Sequence, residues 1–254
     1  MQNKDKWLQT IIEIDKNGKL HPNKESKDGG SYVPITIGCE IMNKIGKKYF
    51  KGKLLDLGCG NVPYYAWYKD SIEDNICVDW ADTFHKNEYL DVIHDISQDL
   101  PFDNEEFDSI LSSAVLEHIY DPQHMIKECY RVLKKGGYLT ISSNFSYWEH
   151  EAPYDYLRHT QYFFKRIAKE LGFEILEIYP CGDGLCAMAD IAAKIHERNP
   201  GKLLFSLINK FFKILFNYYH VKRKKSHFPG TTAGLYCRTE KNIRRILCRE
   251  YMDI

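Results

Sequence analysis

The 254-residue chain reads as a doubly wound α/β domain on a mostly parallel, seven-stranded sheet, with a helical insertion before the last strand. Three observations predict it. Short apolar runs alternate with stretches of helical periodicity. The runs are apolar on both faces, as in a parallel sheet covered on both sides. No internal repeat or low-complexity linker breaks the alternation, and the length suits one sizeable core.

The elements follow in order. Residues 1–33 are polar and punctuated by Asn17-Gly18 and Asp28-Gly29-Gly30, so they read as a leader or lid, with Tyr32 a candidate pocket contact. From 34 to 50, Ile37, Ile41, Ile45 and Tyr49 recur every four residues, which predicts a helix; Gly52 follows its end. The domain proper is expected over 34–254. Strands are expected at KLLDLG (53–58), NICVDW (75–80), LDVIHDI (90–96), FDSILSS (107–113), YLTISSN (138–144), FEILEIY (173–179) and TAGLYCRTE (232–240).

Asp121-Pro122 predicts a helix start, an N-cap followed by proline. Met125, Ile126, Cys129, Val132 and Leu133 form its apolar face, and Lys134 to Gly137 read as its end. Thr160 opens a second helix, lined by Phe164, Ile167, Ala168 and Leu171 and closed by Gly172. The insertion covers about 182–230.

Composition excludes several classes. Lys plus Arg and Asp plus Glu are both 35, which argues against a nucleic-acid partner. The eight cysteines form no CxxC pair, and Cys181 and Cys186 lack a matching histidine pair, so no metal site is expected. Cys59, Cys77 and Cys129 sit in apolar patterns and read as reduced core thiols of a cytoplasmic protein. The first residues hold no apolar secretory segment, and no run reaches the length of a membrane span.

The strand ends point to a ligand. In a doubly wound sheet ligands bind at the carboxyl ends of strands. The first run ends Asp56-Leu57-Gly58-Cys59-Gly60, a turn without side chains where a ligand can approach the backbone. It is neither a phosphate loop nor a good dinucleotide fingerprint, because Pro63 stands where the third glycine would. The second run ends in Asp79, whose carboxylate can accept both hydroxyls of a ribose. Asp95-Ile96 ends the third: the acid suits an exocyclic amine, and the aliphatic side chain suits the ring of an adenine.

Together, DLGCG, VDW, DISQDLPFDNEEFDSILSSAVLEHI and ECYRVLKKGGYLTIS resemble the class I S-adenosylmethionine-dependent methyltransferases, which are Rossmann-like, from about 50 to 180. The resemblance implies that S-adenosylmethionine is the cofactor and S-adenosylhomocysteine the product. Asp56, Gly58 and Gly60 would hold its amino-acid part. Asp79 and Trp80 would hold the ribose and flank the adenine, Asp95 and Ile96 would hold the adenine, and Ser113 would line the methionine side. The usual third glycine of the turn is Val62 here.

A narrower resemblance covers SSNFSYWEHEAPYDYLRHTQYFF (142–164), with His150, Pro153, Asp155, Tyr156, Arg158 and Thr160, and includes the Pro63-Tyr64 turn. It is to a subgroup associated with surface-polysaccharide biosynthesis. A hydroxyl acceptor must lose a proton, and His150 is the first candidate base. Asp155 would share or replace that role. Tyr156 and Arg158 would orient the acceptor, Arg158 by pairing with a phosphate or carboxylate. His118, in VLEHI, is a further candidate; with Glu117 it suits a supporting role better. His94 and His159 read as structural or exposed.

Residues 203–219 read as a helix with Leu204, Leu207, Ile208, Phe211, Leu215 and Tyr218 on one side and Ser206, Lys210, Lys213 and Asn217 on the other. Lys222-Arg223-Lys224-Lys225 follow. Through 203–225 this pattern fits a peripheral contact with the membrane's inner face, a pocket cover or a homodimer contact. The expected function is methyl transfer to an oxygen of a capsule or lipopolysaccharide precursor, such as a sugar hydroxyl or a phosphoramidate decoration. The alternatives are methylation of a lipid or quinone at the membrane surface, and a non-catalytic, cofactor-binding partner subunit.

Overall fold

The computed structural model describes residues 1–23, 31–81, 88–223, 232–236 and 245–251. Near the N-terminus, β1 (Ile12–Ile14) and β2 (Leu20–Pro22) form an antiparallel hairpin. Met1, Ile12 and Leu20 are buried in the same core as Leu54, and the Asn43 side chain bonds both backbone groups of Leu20. Helix α1 (Tyr32–Ile45) begins two residues earlier than its apolar spacing suggests and ends at Gly46; a separate 3-10 turn holds Tyr49.

The main sheet contains β3 (Lys53–Leu57), β4 (Asp74–Asp79), β5 (Val92–Ile93), β6 (Phe107–Ser113) and β7 (Leu133–Ser142). These five pair in parallel in the order β5-β4-β3-β6-β7. Chain order therefore reverses between β3 and β6, the switch point where such sheets bind ligands. Leu54, Leu55 and Leu57 of β3 are completely buried, because helices cover both faces. Cys59, Cys77 and Cys129 are buried as free thiols, as their apolar surroundings suggest.

After the short α2 (Tyr65–Tyr68), helix α3 (Pro122–Val132) starts as expected: Asp121 accepts the His124 amide, and Pro122 occupies the first turn. Its end differs. Lys134 to Gly137 already belong to β7, not to a helix terminus. Leu133 pairs with Phe107, and Lys134 reaches across to Asp108 at 2.7 Å. A cross-strand charge pair thus takes the lysine that helix-end electrostatics would also suit. Helix α4 (Gln161–Leu171) follows Thr160 and closes at Gly172, which adopts a left-handed conformation.

Strand β8 (Glu174–Pro180) leads into α5 (Gly184–Arg198) and α6 (Leu203–Arg223), then β9 (Thr232–Tyr236) and β10 (Arg245–Tyr251). Among the described residues the sheet has eight strands rather than the expected seven. β9 is antiparallel to its neighbours and β10 is parallel to β7 and β8. Residues 237–240 of the expected last strand, and 224–230 of the insertion with Lys224 and Lys225, lie outside the described residues.

α6 carries apolar residues on two sides. Phe212 and Phe216 turn toward the core, while Leu204, Leu207, Phe211 and Tyr218 lie open to solvent. Among the described residues no helix is long and apolar enough to cross a membrane.

Candidate functional site

A cavity of about 760 Å³ opens over the carboxyl ends of β3, β4 and β6. That volume suits a nucleoside-sized ligand with part of a second molecule. Asp56, Gly58, Gly60, Asp79, Trp80, Asp95, Ile96 and Ser113 all line it. So do His118, His150 and Tyr156, whereas Asp155 and Arg158 do not. Thr10, Ile11, Ile12 and Ser31 complete one wall from the N-terminal segment; Tyr32, the expected contact there, is absent from the lining and lies under Lys213 instead.

The turn after β3 is held by backbone and by Asp79. Gly58 donates to the Val78 carbonyl at 2.8 Å, and Gly60 to Asp79 Oδ2 at 2.9 Å. Gly58 has φ +69°, and a Cβ there would come within 2.5 Å of Val115, so only glycine fits. Val62, in place of the usual third glycine, also has positive φ (50°) but is completely buried, its amide bonded to Cys59 O. Packing holds this β-branched residue in a conformation it rarely adopts.

Asp79 Oδ1 accepts the Trp80 amide at 2.9 Å. A carboxylate oxygen accepts more than one bond, so a side chain of this kind suits the paired hydroxyls of a ribose. Asp95 Oδ1 accepts from the Ser97 amide and hydroxyl. Burial raises the Asp95 pKa, but those hydrogen bonds outweigh it and hold the carboxyl below its usual value. Ile96 is buried beside it. Asp56 is 5% exposed and accepts the Tyr68 hydroxyl at 2.8 Å. Burial pushes its pKa up to about 7; the Tyr68 bond opposes the shift and the negative charge of Asp79 adds to it.

This donor and acceptor set fits S-adenosylmethionine: acid and side-chain-free turn for the charged amino-acid end, Asp79 for diol, Asp95 and Ile96 for base. It also yields a pH dependence. The Asp56 pKa is raised in the folded chain, so its contribution to stability is full below the ordinary carboxylate range and is lost as pH rises through about 7. A cationic ammonium beside Asp56 favours the ionised form. Affinity for S-adenosylmethionine is therefore expected to climb by up to about tenfold per pH unit below about pH 7 and level off above it. Calorimetric titration across that range should show this in the wild type and a flat profile in Asp56→Asn.

The acceptor side is built from the turn after β6 and the loop after β7. A 3-10 turn, Leu116–His118, puts the completely buried Glu117 under the loop. Its carboxylate accepts from Ser143 and Asn144, and its carbonyl from the amides of Tyr156 and Leu157. Glu117 thus supports the loop, in line with the role its motif suggested. Ser143 also meets His159 Nδ1 at 3.0 Å. Burial, aided by Arg158, lowers the His159 pKa to about 4, so this histidine is a neutral structural residue.

His118 Nδ1 lies 2.8 Å from the Tyr154 carbonyl, and His150 Nδ1 3.1 Å from Asp155 Oδ2 and 3.2 Å from the Trp148 carbonyl. These partners only accept, so each Nδ1 carries the proton and each Nε2 the lone pair. The two rings stand 4.7 Å apart at the cavity wall. One ligand atom each from Glu117, His118 and His150 lies within 4.8 Å of the others, a metal-capable grouping that the cysteine and histidine spacing did not suggest.

Two expected acceptor contacts need correction. The Asp155 side chain is 2% exposed, and the Arg158 guanidinium grips both its oxygens. Arg158 also donates to the carbonyls of Tyr147, Trp148 and Leu157. That bond to Arg158 holds the Asp155 carboxyl well below the usual range, with burial opposing. Arg158 is therefore a clamp of its own loop rather than an anchor for a phosphate, and Asp155 orients His150. Aromatic residues that sequence reasoning did not single out, Tyr120, Tyr147 and Tyr154, join Trp80 and Tyr156 at the mouth; Trp80 and Tyr154 meet edge to face at 4.7 Å.

Residues 55–141 match the family model described as a methyltransferase domain. Among curated proteins, an uncharacterized protein of Methanocaldococcus jannaschii is 37% identical over 36% of this chain and 44% of its own length. A ubiquinone biosynthesis O-methyltransferase of Coxiella burnetii is 31% identical over 41% of this chain and 53% of its own, and one of Maricaulis maris 25% over 48% and 55%. The chain spans about half the length of the curated relatives it matches. Among solved structures, the [4+2]-cyclase SpnF aligns with TM-score 0.50 at 17% identity over 76% of this chain and 81% of its own. That likeness shows the fold alone.

Proposed function

We propose that the methyltransferase domain carried by residues 55–141, with S-adenosylmethionine as its cofactor, serves an enzyme that methylates an oxygen of a surface-glycan precursor or its decoration. When bound, the cofactor supplies an electrophilic methyl group on a sulfonium. Gly58, Gly60 and Asp79 fix its position, and the loop after β7 fixes the acceptor, so that alignment lowers the barrier. His150 Nε2 takes the hydroxyl proton. Asp155 holds the ring in the required tautomer and stabilises the imidazolium that forms.

The observation that carries this reading is the His150 to Asp155 pair at the cavity wall, 3.1 Å apart, with the imidazole lone pair left on Nε2. A non-catalytic subunit would not need an oriented base at all. Aromatic walls support a sugar-like acceptor, because they stack on ring faces while leaving hydroxyls in plane. A second reading, a membrane-borne phenol or quinol, draws on the names of the curated relatives.

The test is methyl transfer from labelled S-adenosylmethionine to nucleotide sugars, lipid-linked saccharides and quinol analogues offered side by side. Label is expected in a saccharide oxygen. Label in quinols alone selects the second reading. Label in none, from protein shown to bind S-adenosylhomocysteine, defeats the glycan assignment.

A further inference from the structure

We infer that the α5–α6 hairpin is a docking surface for an anionic membrane. α6 carries apolar residues on two sides, between which lie Ser206, Lys210, Lys213 and Asn217. One side, with Phe212 and Phe216, packs on the core. The other presents Leu203, Leu204, Leu207, Ile208, Phe211, Ile214, Tyr218 and Tyr219, each between 37% and 73% exposed. Met188, Ile191 and Ile195 of α5 are also open. Scattered exposed apolar residues are ordinary, but a continuous run of them on one helix implies an occupant. Positions 204, 207, 208, 211, 214 and 218 follow the helical repeat, so they form one stripe.

Charge identifies that occupant. From 198 to 239 the sequence has no aspartate or glutamate and nine lysines and arginines, in a chain of zero net charge overall. Of this set, Lys202 stands just before α6 and Lys210 on its polar side, and Lys222 and Arg223 end the helix. A second copy of the chain would bring the same uncompensated positive charge against itself. An anionic lipid surface accepts both the apolar stripe and the basic residues. α6 is too polar to span, which suits a helix lying in the interface.

The hairpin also touches the site. Lys194 of α5 is buried, paired with Asp190, and stands 3.3 Å over the Tyr147 ring; Arg198 lies 3.9 Å over Trp148. Tyr147 lines the cavity, and Trp148 holds His150 through its carbonyl. The same helix pair that offers the apolar face therefore grips the loop that would receive the acceptor. The inference does not depend on which acceptor is methylated, or on methylation at all.

The test is co-sedimentation with vesicles of phosphatidylcholine alone and of phosphatidylcholine with phosphatidylglycerol, for wild type, Leu207→Glu/Phe211→Glu and Lys202→Glu/Lys210→Glu. Circular dichroism and S-adenosylhomocysteine binding report that each variant is folded. Wild type is expected to pellet with the anionic vesicles at least tenfold more than with neutral ones, and less as salt rises. Both variants should lose most of that binding while keeping cofactor affinity. Overturning results are absence of wild-type binding, variants that bind as wild type does, or a solution dimer that the Glu variants dissociate and that ignores vesicles.

Discussion

Replacing Asp79 with alanine is expected to weaken S-adenosylhomocysteine binding at least about 100-fold while the protein stays folded. The carboxylate sits at the end of β4, with Oδ2 on the Gly60 amide and Oδ1 on the Trp80 amide. A carboxylate at this position suits the paired hydroxyls of a ribose. Hydrogen bonds to a charged group contribute roughly 1.5–3 kcal/mol each, so losing two removes about 3 kcal/mol or more, which is two decades of affinity. The glycine turn also loses the side chain that holds Gly60. Asp79→Asn should fall between, since its amide keeps one acceptor but faces backbone donors with its NH2 group. Parallel calorimetric titrations decide the matter. Equal affinity for wild type and Asp79→Ala would remove the ribose assignment. A coupled effect is expected at Asp56, whose raised pKa owes part of its shift to the charge of Asp79: in the alanine variant the pH profile of binding should move to lower pH.

The cofactor side of this site was legible in the sequence because its logic is local. An acid or a glycine pair at the end of an apolar run marks a strand end, and parallel pairing brings successive strand ends together. Asp56, Asp79 and Asp95 are placed by that rule alone. The acceptor side depends on contacts that no periodicity encodes. From its pattern Arg158 could pair with an acceptor's anion or with Asp155 three residues before it; the folded loop gives it Asp155 and three backbone carbonyls. The start of β7 was hidden for a similar reason. Lys134 and Lys135 suit a helix end electrostatically, and only Asp108 on the neighbouring strand shows that Lys134 belongs to a sheet. The sequence left the orientation of α6 open, since a helix apolar on two sides has no way to say which side meets the core.

His150 and Asp155 divide the proton chemistry into two separable effects. His150→Ala should lower kcat by roughly 10²–10⁴-fold, the usual contribution of a positioned base, with S-adenosylhomocysteine affinity within a few-fold of wild type. Its ring is 19% exposed and accepts nothing that the fold requires, so its loss should cost little stability. Asp155→Asn acts differently. The side chain is buried, bonds the His150 amide and ring, and receives both arms of Arg158. Neutralising it leaves a guanidinium without its carboxylate and frees the imidazole to take the other tautomer. The expected result is a loss of kcat together with a fall in Tm, whereas His150→Ala changes kcat with little change in Tm. His118→Ala provides the internal comparison: its Nδ1 is fixed by the Tyr154 carbonyl and its Nε2 faces the partly exposed Glu151 carboxylate at 3.8 Å, whereas His150 is held by the buried Asp155, so the loss of His118 should cost less. If His118→Ala instead proves the more damaging of the two at unchanged cofactor affinity, the base is His118, and the His150 to Asp155 pair serves only to hold the loop in place.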